Sequence, residues 1–135
     1  MTASPTVTAT TRIAAPPEAV FPYFTDPALI VTWLGDQANL DPRPGGVFAV
    51  DIGTSPARGT YLSVEPPTRV VFTWGLPGNE TMPTGSTTVE VLLIPDDDGT
   101  VVSLTHHDLP AEHRPGHQEG WDTFIGALPA AVTHH

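Results

Sequence analysis

The sequence contains neither cysteine nor lysine, and these absences exclude several kinds of chemistry. Without cysteine there is no disulfide framework, no thiolate nucleophile and no cysteine metal site, and without lysine there is no Schiff base. Apolar runs are short, and none approaches the roughly 20 residues that span a bilayer. The start, MTASPTVTATTRIAA, lacks the basic and apolar segments of a secretory signal, so we expect a cytoplasmic protein without a membrane partner.

Positive charge is also scarce. The chain carries 5 basic residues, all arginine, against 15 acidic ones, for a formal net charge of −10. Such a field repels the phosphates on which nucleic-acid affinity depends, so neither nucleic acid nor an anionic membrane surface is an expected partner. The ordinary role of this charge is to keep the protein in solution.

The pattern of the chain is that of several short strands and one long helix. TVTATTRI alternates like a strand, and two proline-led stretches, APPEAVFPYF and TDPALIVTWLG, read as short helices. From residue 40 onward, β-rich runs are separated by turns, and the DDDG of residues 96–99 predicts a hairpin. Residues 116–132 repeat apolar side chains at three- and four-residue steps, which predicts an amphipathic helix.

Two prolines are expected to disturb these helices. Pro22 has no N–H to bond back to Glu18, which predicts a kinked or very short first helix. Pro129 lies inside the last helical pattern, so that helix is predicted to end or bend near Leu128.

One domain accounts for the whole length. At 135 residues, the chain suits a single core that spans residues 1–135. Residues 1–5 are expected to be flexible and residues 130–135 to form a tail. Within it, His134 and His135 are either native or the start of an expression tag. We predict an α+β fold in which a curved antiparallel sheet wraps around the C-terminal helix, with two short helices after the first strand.

This order of elements resembles the helix-grip domains of the START-like (SRPBCC) superfamily, which includes polyketide cyclases and plant lipid-binding allergens. The sequence is most similar to the bacterial family named for the activator of the heat-shock protein 90 ATPase. Pro22, Pro129 and the pair His106-His107 depart from the usual pattern. The resembling stretches, in family order, are IAAPPEAVFPYFTDPALIVTWLG, DPRPGGVFAVDI, RGTYLSVEPPTRVVFTW, TTVEVLLIP, GTVVSLTH and GHQEGWDTFIGAL.

The resemblance implies a deep cavity between the sheet and the C-terminal helix. In the superfamily this cavity accepts lipids, polyketides, hormones and other apolar molecules. It does not imply a single activity, because one fold hosts many functions.

His106 is the strongest candidate for a catalytic residue. In GTVVSLTHH it shares a parity with Val102 and Leu104, so it is predicted to face the cavity while His107 faces outward. An inward imidazole serves as a general base or polar anchor. The alternative is a core histidine that is hydrogen-bonded within the protein.

The remaining histidines do not predict a metal site. His113 and His117 have the spacing of two ligands on one helical face, but Pro115 between them suits only a helix start. We therefore expect His113 before the helix and His117 in its first turn, as solvated residues. No phosphate-binding loop or dinucleotide fingerprint is present, so no metal and no cofactor are predicted.

Aromatic residues supply most of the predicted pocket. Tryptophan N–H groups need partners when buried, so tryptophans often lie where an apolar surface meets a polar group. Ordinary core packing is the alternative for each aromatic residue. The predicted pocket residues are Trp33, Phe48, Tyr61, Trp74, Leu104, His106, Trp121, Phe124 and Ile125. Whether Tyr61 or Leu62 points inward is open. Arg58 is either a ligand anchor or, as we favour, a member of a surface ion pair.

Three functional hypotheses follow. The first is a small-molecule binding module for a hydrophobic, aromatic or polyketide-like ligand, as a monomer or homodimer. The second is an enzyme of the cyclase, dehydratase or hydrolase kind, with His106 as base and Trp74 or Tyr61 orienting the substrate. The third is a co-chaperone-like domain that binds a chaperone, which is the least favoured because no further domain supports it.

Overall fold

The computed structural model describes residues 6–133. The predictions for residues 1–5 and for His134 and His135 lie outside the described residues. The helices are α1 (Pro17–Val20), α2 (Pro27–Ile30) and α3 (Arg114–Thr133), with 3₁₀ turns at Phe21–Phe24 and Ala111–His113. The strands are β1 (Thr6–Ile13), β2 (Gln37–Leu40), β3 (Val47–Ile52), β4 (Ser55–Glu65), β5 (Arg69–Trp74), β6 (Thr87–Asp96) and β7 (Gly99–His107).

The strands form one antiparallel sheet in the order β1-β7-β6-β5-β4-β3-β2. Each strand except β1 neighbours the next one along the chain, and β1 joins the sheet beside β7. Helix α3 packs its apolar stripe against this sheet, with Trp121, Ile125, Leu128 and Val132 buried. The predicted α+β helix-grip fold is confirmed.

Side-chain parity along the strands builds the core as predicted. Phe48 on β3, Phe72 on β5 and Leu104 on β7 are each at most 2% exposed. The open question on β4 is resolved, because Tyr61 is fully buried and Leu62 is 52% exposed. One face of each strand therefore supplies the core, as the two-residue period requires.

Gly59 marks the point where β4 passes close to β5. A Cβ atom at this position would collide with the backbone carbonyl of Thr73. A register shift between Tyr61 and Ser63 follows in the same strand. Bulges of this kind bend a strand and increase its twist, which helps the sheet to curve around α3.

The β6–β7 hairpin forms where the DDDG signal predicted it. Asp96 pairs with Gly99, so Asp97 and Asp98 are the central turn residues. Asp97 has a φ of 53°, in the left-handed region that aspartate tolerates better than most residues.

The two proline-led helices are short for separate reasons. Helix α1 is very short, as predicted from Pro22, and the chain continues into a 3₁₀ turn that contains this proline. Helix α2 begins with Pro27, and the Asp26 carboxylate caps it by accepting the Ala28 N–H over 2.9 Å.

Of the two outcomes predicted near Leu128, an end or a bend of the last helix, the end is wrong. Helix α3 continues through Pro129 to Thr133, so residues 130–133 are helical rather than a tail. Buried Val132 and the Tyr23 hydroxyl, which donates to the Ala131 carbonyl over 3.3 Å, hold the last turn despite the missing proline N–H. No helix among residues 6–133 has the length and apolar character to cross a membrane.

Strand β2 was not predicted from the sequence. The predicted run of strands that follows the two short helices begins only after residue 40. Its four residues alternate between exposed and half-buried positions and include one large apolar side chain, Leu40. Pairing with β3 fixes this edge strand, since Ala38 lies opposite Val50. A strand this short and polar gives little periodic signal.

Replacing Gly59 with alanine is expected to lower the free energy of unfolding by about 2 kcal/mol or more, because the new Cβ must displace the Thr73 backbone. Chemical denaturation would measure the loss. The matched control is Gly126→Ala on the exposed side of α3, where a Cβ meets nothing within 4 Å. That variant is expected to gain roughly 1 kcal/mol in helix propensity. Equal effects at both glycines would contradict the close approach at Gly59.

Candidate ligand-binding site

A chain of hydrogen bonds joins α3 to three strands of the sheet. The indole N–H of Trp121 donates to Nδ1 of His106 on β7 over 2.9 Å. Nε2 of His106 lies 2.7 Å from the hydroxyl oxygen of Thr87 on β6, and this hydroxyl lies 2.6 Å from the carbonyl oxygen of Trp74 on β5. All four residues are buried. Water therefore does not compete for these bonds.

The partners determine where the protons lie. An indole nitrogen only donates, so Nδ1 of His106 accepts and its proton is on Nε2. The Trp74 carbonyl only accepts, so the Thr87 hydroxyl donates to it and accepts from His106. His106 is therefore a neutral imidazole with both nitrogens bonded inside the protein.

Burial keeps His106 uncharged. It lowers the pKa of His106 to about 3, and the nearby imidazoles of His117 and His107 add smaller effects in the same direction. His107 faces outward as predicted, 3.8 Å from a Glu90 oxygen, whereas His106 points inward but is fully buried in the core and does not face the pocket.

A pocket of about 350 Å³ opens between α3 and the end of the sheet that β3, β4 and β5 form. Its apolar wall comes from the loop after α2, strands β3 to β5, the loop after β5 and α3. The large apolar residues of this wall are Leu34, Ile52, Trp74, Leu76, Trp121 and Phe124. Ser55, Glu112, His113 and His117 are the polar residues around it.

Three of the predicted pocket residues line this wall: Trp74, Trp121 and Phe124. Trp33 does not, and borders a separate depression beside Phe124 instead. The other predicted members are buried in the core and do not line the pocket, namely Phe48, Tyr61, Leu104, His106 and Ile125.

Aromatic packing explains why inward-facing residues lie outside the pocket. The ring of Phe48 stacks on Phe72 with centroids 3.9 Å apart, which fills the space next to β3 and β5. The Tyr61 hydroxyl donates to the Phe24 carbonyl over 2.9 Å, and burial, with a smaller effect of the Asp41 carboxylate, raises its pKa. These rings therefore belong to the core and do not line the pocket.

Two glycines that line the pocket were not among the site residues predicted from the sequence. Gly116 and Gly120 both lie on its wall, one helical turn apart on α3. A Cβ at either position would meet nothing within 4 Å. Their spacing, interleaved with His117 and Trp121 on one helical stripe, is the sequence signal that could have identified them.

His117 also lines the pocket although it was not predicted to do so. Its Nδ1 lies 3.0 Å from the backbone carbonyl of His113, which fixes the proton on Nδ1. Burial lowers the pKa of His117, while that hydrogen bond opposes the shift. The expectation that His117 is a solvated residue is wrong, because α3 carries it into the pocket wall. His113 precedes α3 as predicted, with Nε2 2.7 Å from the Thr81 hydroxyl.

The other candidate residues form no further site. Within residues 6–133, no group of three or more histidine, aspartate or glutamate side chains is arranged to hold a metal ion. Arg58 forms an ion pair with Asp51, with 2.8 Å between Nη2 and Oδ1, which confirms the favoured interpretation.

Comparison with known proteins places the chain in a family. The family described as Activator of Hsp90 ATPase homolog 1-like protein matches residues 14–133. Among proteins with curated functional descriptions, none matches the sequence significantly.

Several solved structures share the fold. An AHSA1-like protein from Rhizobium etli is 40% identical, with a TM-score of 0.75 over 98% of this chain and 85% of that one. A Mesorhizobium loti protein is 25% identical, with a TM-score of 0.84 over 94% and 96% of the two chains. An HSP90 activator from Plasmodium falciparum, 23% identical, has a TM-score of 0.77 over 94% and 95%.

Replacing His106 with glutamine is expected to weaken the pH dependence of stability. The folded state lowers the pKa of His106 from 6.5 to about 3, so the unfolded chain binds its proton more readily. The contribution of neutral His106 to the free energy of unfolding is complete above about pH 6.5. It is lost as the pH falls through that value toward 3. When the pH falls from about 7 to about 5.5, His106 is expected to lower the free energy of unfolding of the wild type by about 1 kcal/mol.

Urea denaturation at the two pH values measures this difference. The matched control is His107→Gln on the outer face, which leaves the buried imidazole in place and keeps the pH dependence. If His106→Gln and the wild type lost the same stability on acidification, His106 would not be the buried neutral group described above.

Proposed function

The chain belongs to the family of Activator of Hsp90 ATPase homolog 1-like proteins, and we propose that it binds a small hydrophobic, aromatic or polyketide-like molecule between its sheet and α3. The observation that carries this proposal is the open space that Gly116 and Gly120 leave in the pocket wall. Glycine in a helix costs roughly 1 kcal/mol relative to alanine. Two such costs on the helix that closes the pocket favour a role for the empty volume.

The size and surface of the pocket support a ligand of a few rings. Its volume, about 350 Å³, is at the lower end of the roughly 300–1,000 Å³ typical of small-molecule sites. Trp74, Trp121 and Phe124 offer aromatic surfaces with defined geometry, which suits a flat aromatic body.

The charges around the pocket favour a neutral ligand. No arginine lines the pocket, whereas Glu112 does, and the chain carries a formal net charge of −10. A carboxylate or phosphate would be repelled by this field and would find no cation to pair with. The proposal therefore concerns an uncharged molecule.

His106 supports the pocket rather than reacting in it. Its lone pair accepts from Trp121 and its N–H donates to Thr87, so no nitrogen is free for a substrate. General-base catalysis by His106 would require breaking the Trp121 bond inside the core. The enzyme alternative is weaker for this reason, and the binding function is the one that we propose.

A pocket-filling variant tests the proposal. Gly120→Leu adds a side chain to the pocket wall on α3, at a position where a Cβ atom meets nothing within 4 Å. We expect the affinity for neutral naphthalene derivatives to fall at least about tenfold while the helix becomes no less stable. Titration followed by tryptophan fluorescence measures the affinity, since Trp74 and Trp121 lie on the wall.

The matched control is Gly126→Leu, on the same helix but away from the pocket, where a side chain also meets open space. It should bind like the wild type. Thermal denaturation gives a second measurement, because a ligand at one hundred times its dissociation constant stabilises a protein by about 2.7 kcal/mol. Binding that survives in Gly120→Leu would overturn the proposed location, and no stabilisation of the wild type by any of these probes would argue against the ligand class.

A co-chaperone role is the second candidate, favoured by the family description and by the fold shared with the Plasmodium HSP90 activator. The surface gives it less support. The exposed large hydrophobic residues among the described ones are Val47, Leu62 and Ile94, on three different strands. A steady-state ATPase assay with purified Hsp90 separates the two functions, since stimulation by both the wild type and Gly120→Leu would favour the chaperone role.

A further inference from the structure

Two groups on the aromatic and imidazole side chains of the pocket wall, one acceptor and one donor, have no hydrogen-bond partner among the described residues. One is Nε2 of His117: the proton of this neutral imidazole is on Nδ1, which donates to the His113 carbonyl over 3.0 Å, so Nε2 carries a free lone pair. The other is the indole N–H of Trp74, a residue that is only 4% exposed. The first group accepts and the second donates.

The other two tryptophans and the central histidine are fully paired. The N–H groups of Trp33 and Trp121 donate to the Tyr23 carbonyl and to His106, each over 2.9 Å. Both nitrogens of His106 are bonded as well. Buried donors and acceptors are nearly always satisfied in folded proteins, so the buried and unpaired N–H of Trp74 points to a partner that the pocket receives, and the free lone pair of His117 lies on the wall of the same pocket.

The two residues lie next to the same imidazole. The ring centroid of Trp74 lies 5.8 Å from that of His106, and the centroid of His117 lies 5.3 Å from it. Both residues also line the pocket. A ligand among the aromatic side chains would therefore lie beside one residue with a free acceptor and one with a free donor.

We propose that the pocket selects aromatic ligands that carry a hydroxyl group, with His117 Nε2 accepting the O–H and the Trp74 N–H donating to an oxygen. This inference rests on the proposed binding function and specifies the ligand class. A phenolic hydroxyl is neutral near pH 7, since its pKa is about 10, and it both donates and accepts. It matches the two unpaired groups in a pocket that offers no cation for an anionic ligand.

Three naphthalenes of similar shape separate the two hydrogen bonds. 2-Naphthol donates and accepts, 2-methoxynaphthalene only accepts, and 2-ethylnaphthalene does neither. The wild type is expected to bind the naphthol roughly fivefold more tightly than the methoxy compound, which it binds more tightly than the ethyl compound. Isothermal titration calorimetry gives the three dissociation constants.

Variants assign each preference to a residue. His117→Leu should remove the preference for naphthol over methoxynaphthalene, and His117→Gln, whose carbonyl accepts a hydrogen bond, should restore part of it. Trp74→Phe should remove the preference for methoxynaphthalene over ethylnaphthalene. The control for histidine is His107→Leu on the outer face, and the control for tryptophan is Trp33→Phe, which is outside this pocket. Both controls should keep the wild-type order.

The outcomes distinguish this inference from the proposed function. If all three naphthalenes bind the wild type equally, or if His117→Leu keeps the naphthol preference, the inference is overturned while the binding function stands. If none of the three binds, the proposed function fails and the inference fails with it. Loss of each preference in its own variant alone supports both.

Discussion

The architecture depends on the hydrogen-bond chain from Trp121 through His106 and Thr87 to the Trp74 carbonyl. A polar chain in a core is tolerable only when every member is satisfied, because an unpaired buried group is costly. This condition fixes the position of α3 along and around its own axis. The side chains next to Trp121 on the same stripe are therefore presented to one defined place on the sheet.

The position of α3 leaves an open volume between this helix and the sheet. One turn before Trp121, the helix presents His117 and glycines where large apolar side chains would close the gap to the sheet. On the sheet, the stacked rings of Phe48 and Phe72 fill the core instead of lining the pocket. Glycine lowers the helix propensity of α3 at the point where the pocket opens, whereas Leu128 and Val132 pack the last turns of this helix against the core. The first turns of α3 thus leave the pocket open, and its last turns stabilise the fold.

Charged groups contribute little to the pocket wall. The molecule carries a net charge of −10, but its pocket wall contains one acidic residue, Glu112, and burial favours the neutral imidazoles of His106 and His117. The arginine that the sequence offered as an anchor, Arg58, is paired with Asp51. Recognition in the pocket therefore falls to aromatic surface and to neutral hydrogen-bonding groups.

The sequence by itself determined the fold, through the order of elements, the alternation along the strands and the stripe on α3. It also determined that His106 faces inward, because parity depends only on neighbouring residues. Tertiary structure decided that α3 passes through Pro129, that β2 forms at the edge, and that Phe48, Tyr61, Leu104 and Ile125 fill the core while Trp74 and Phe124 line the pocket. The physical reason is that parity gives the face on which a side chain lies, whereas a gap is the volume left over when residues from distant segments pack together.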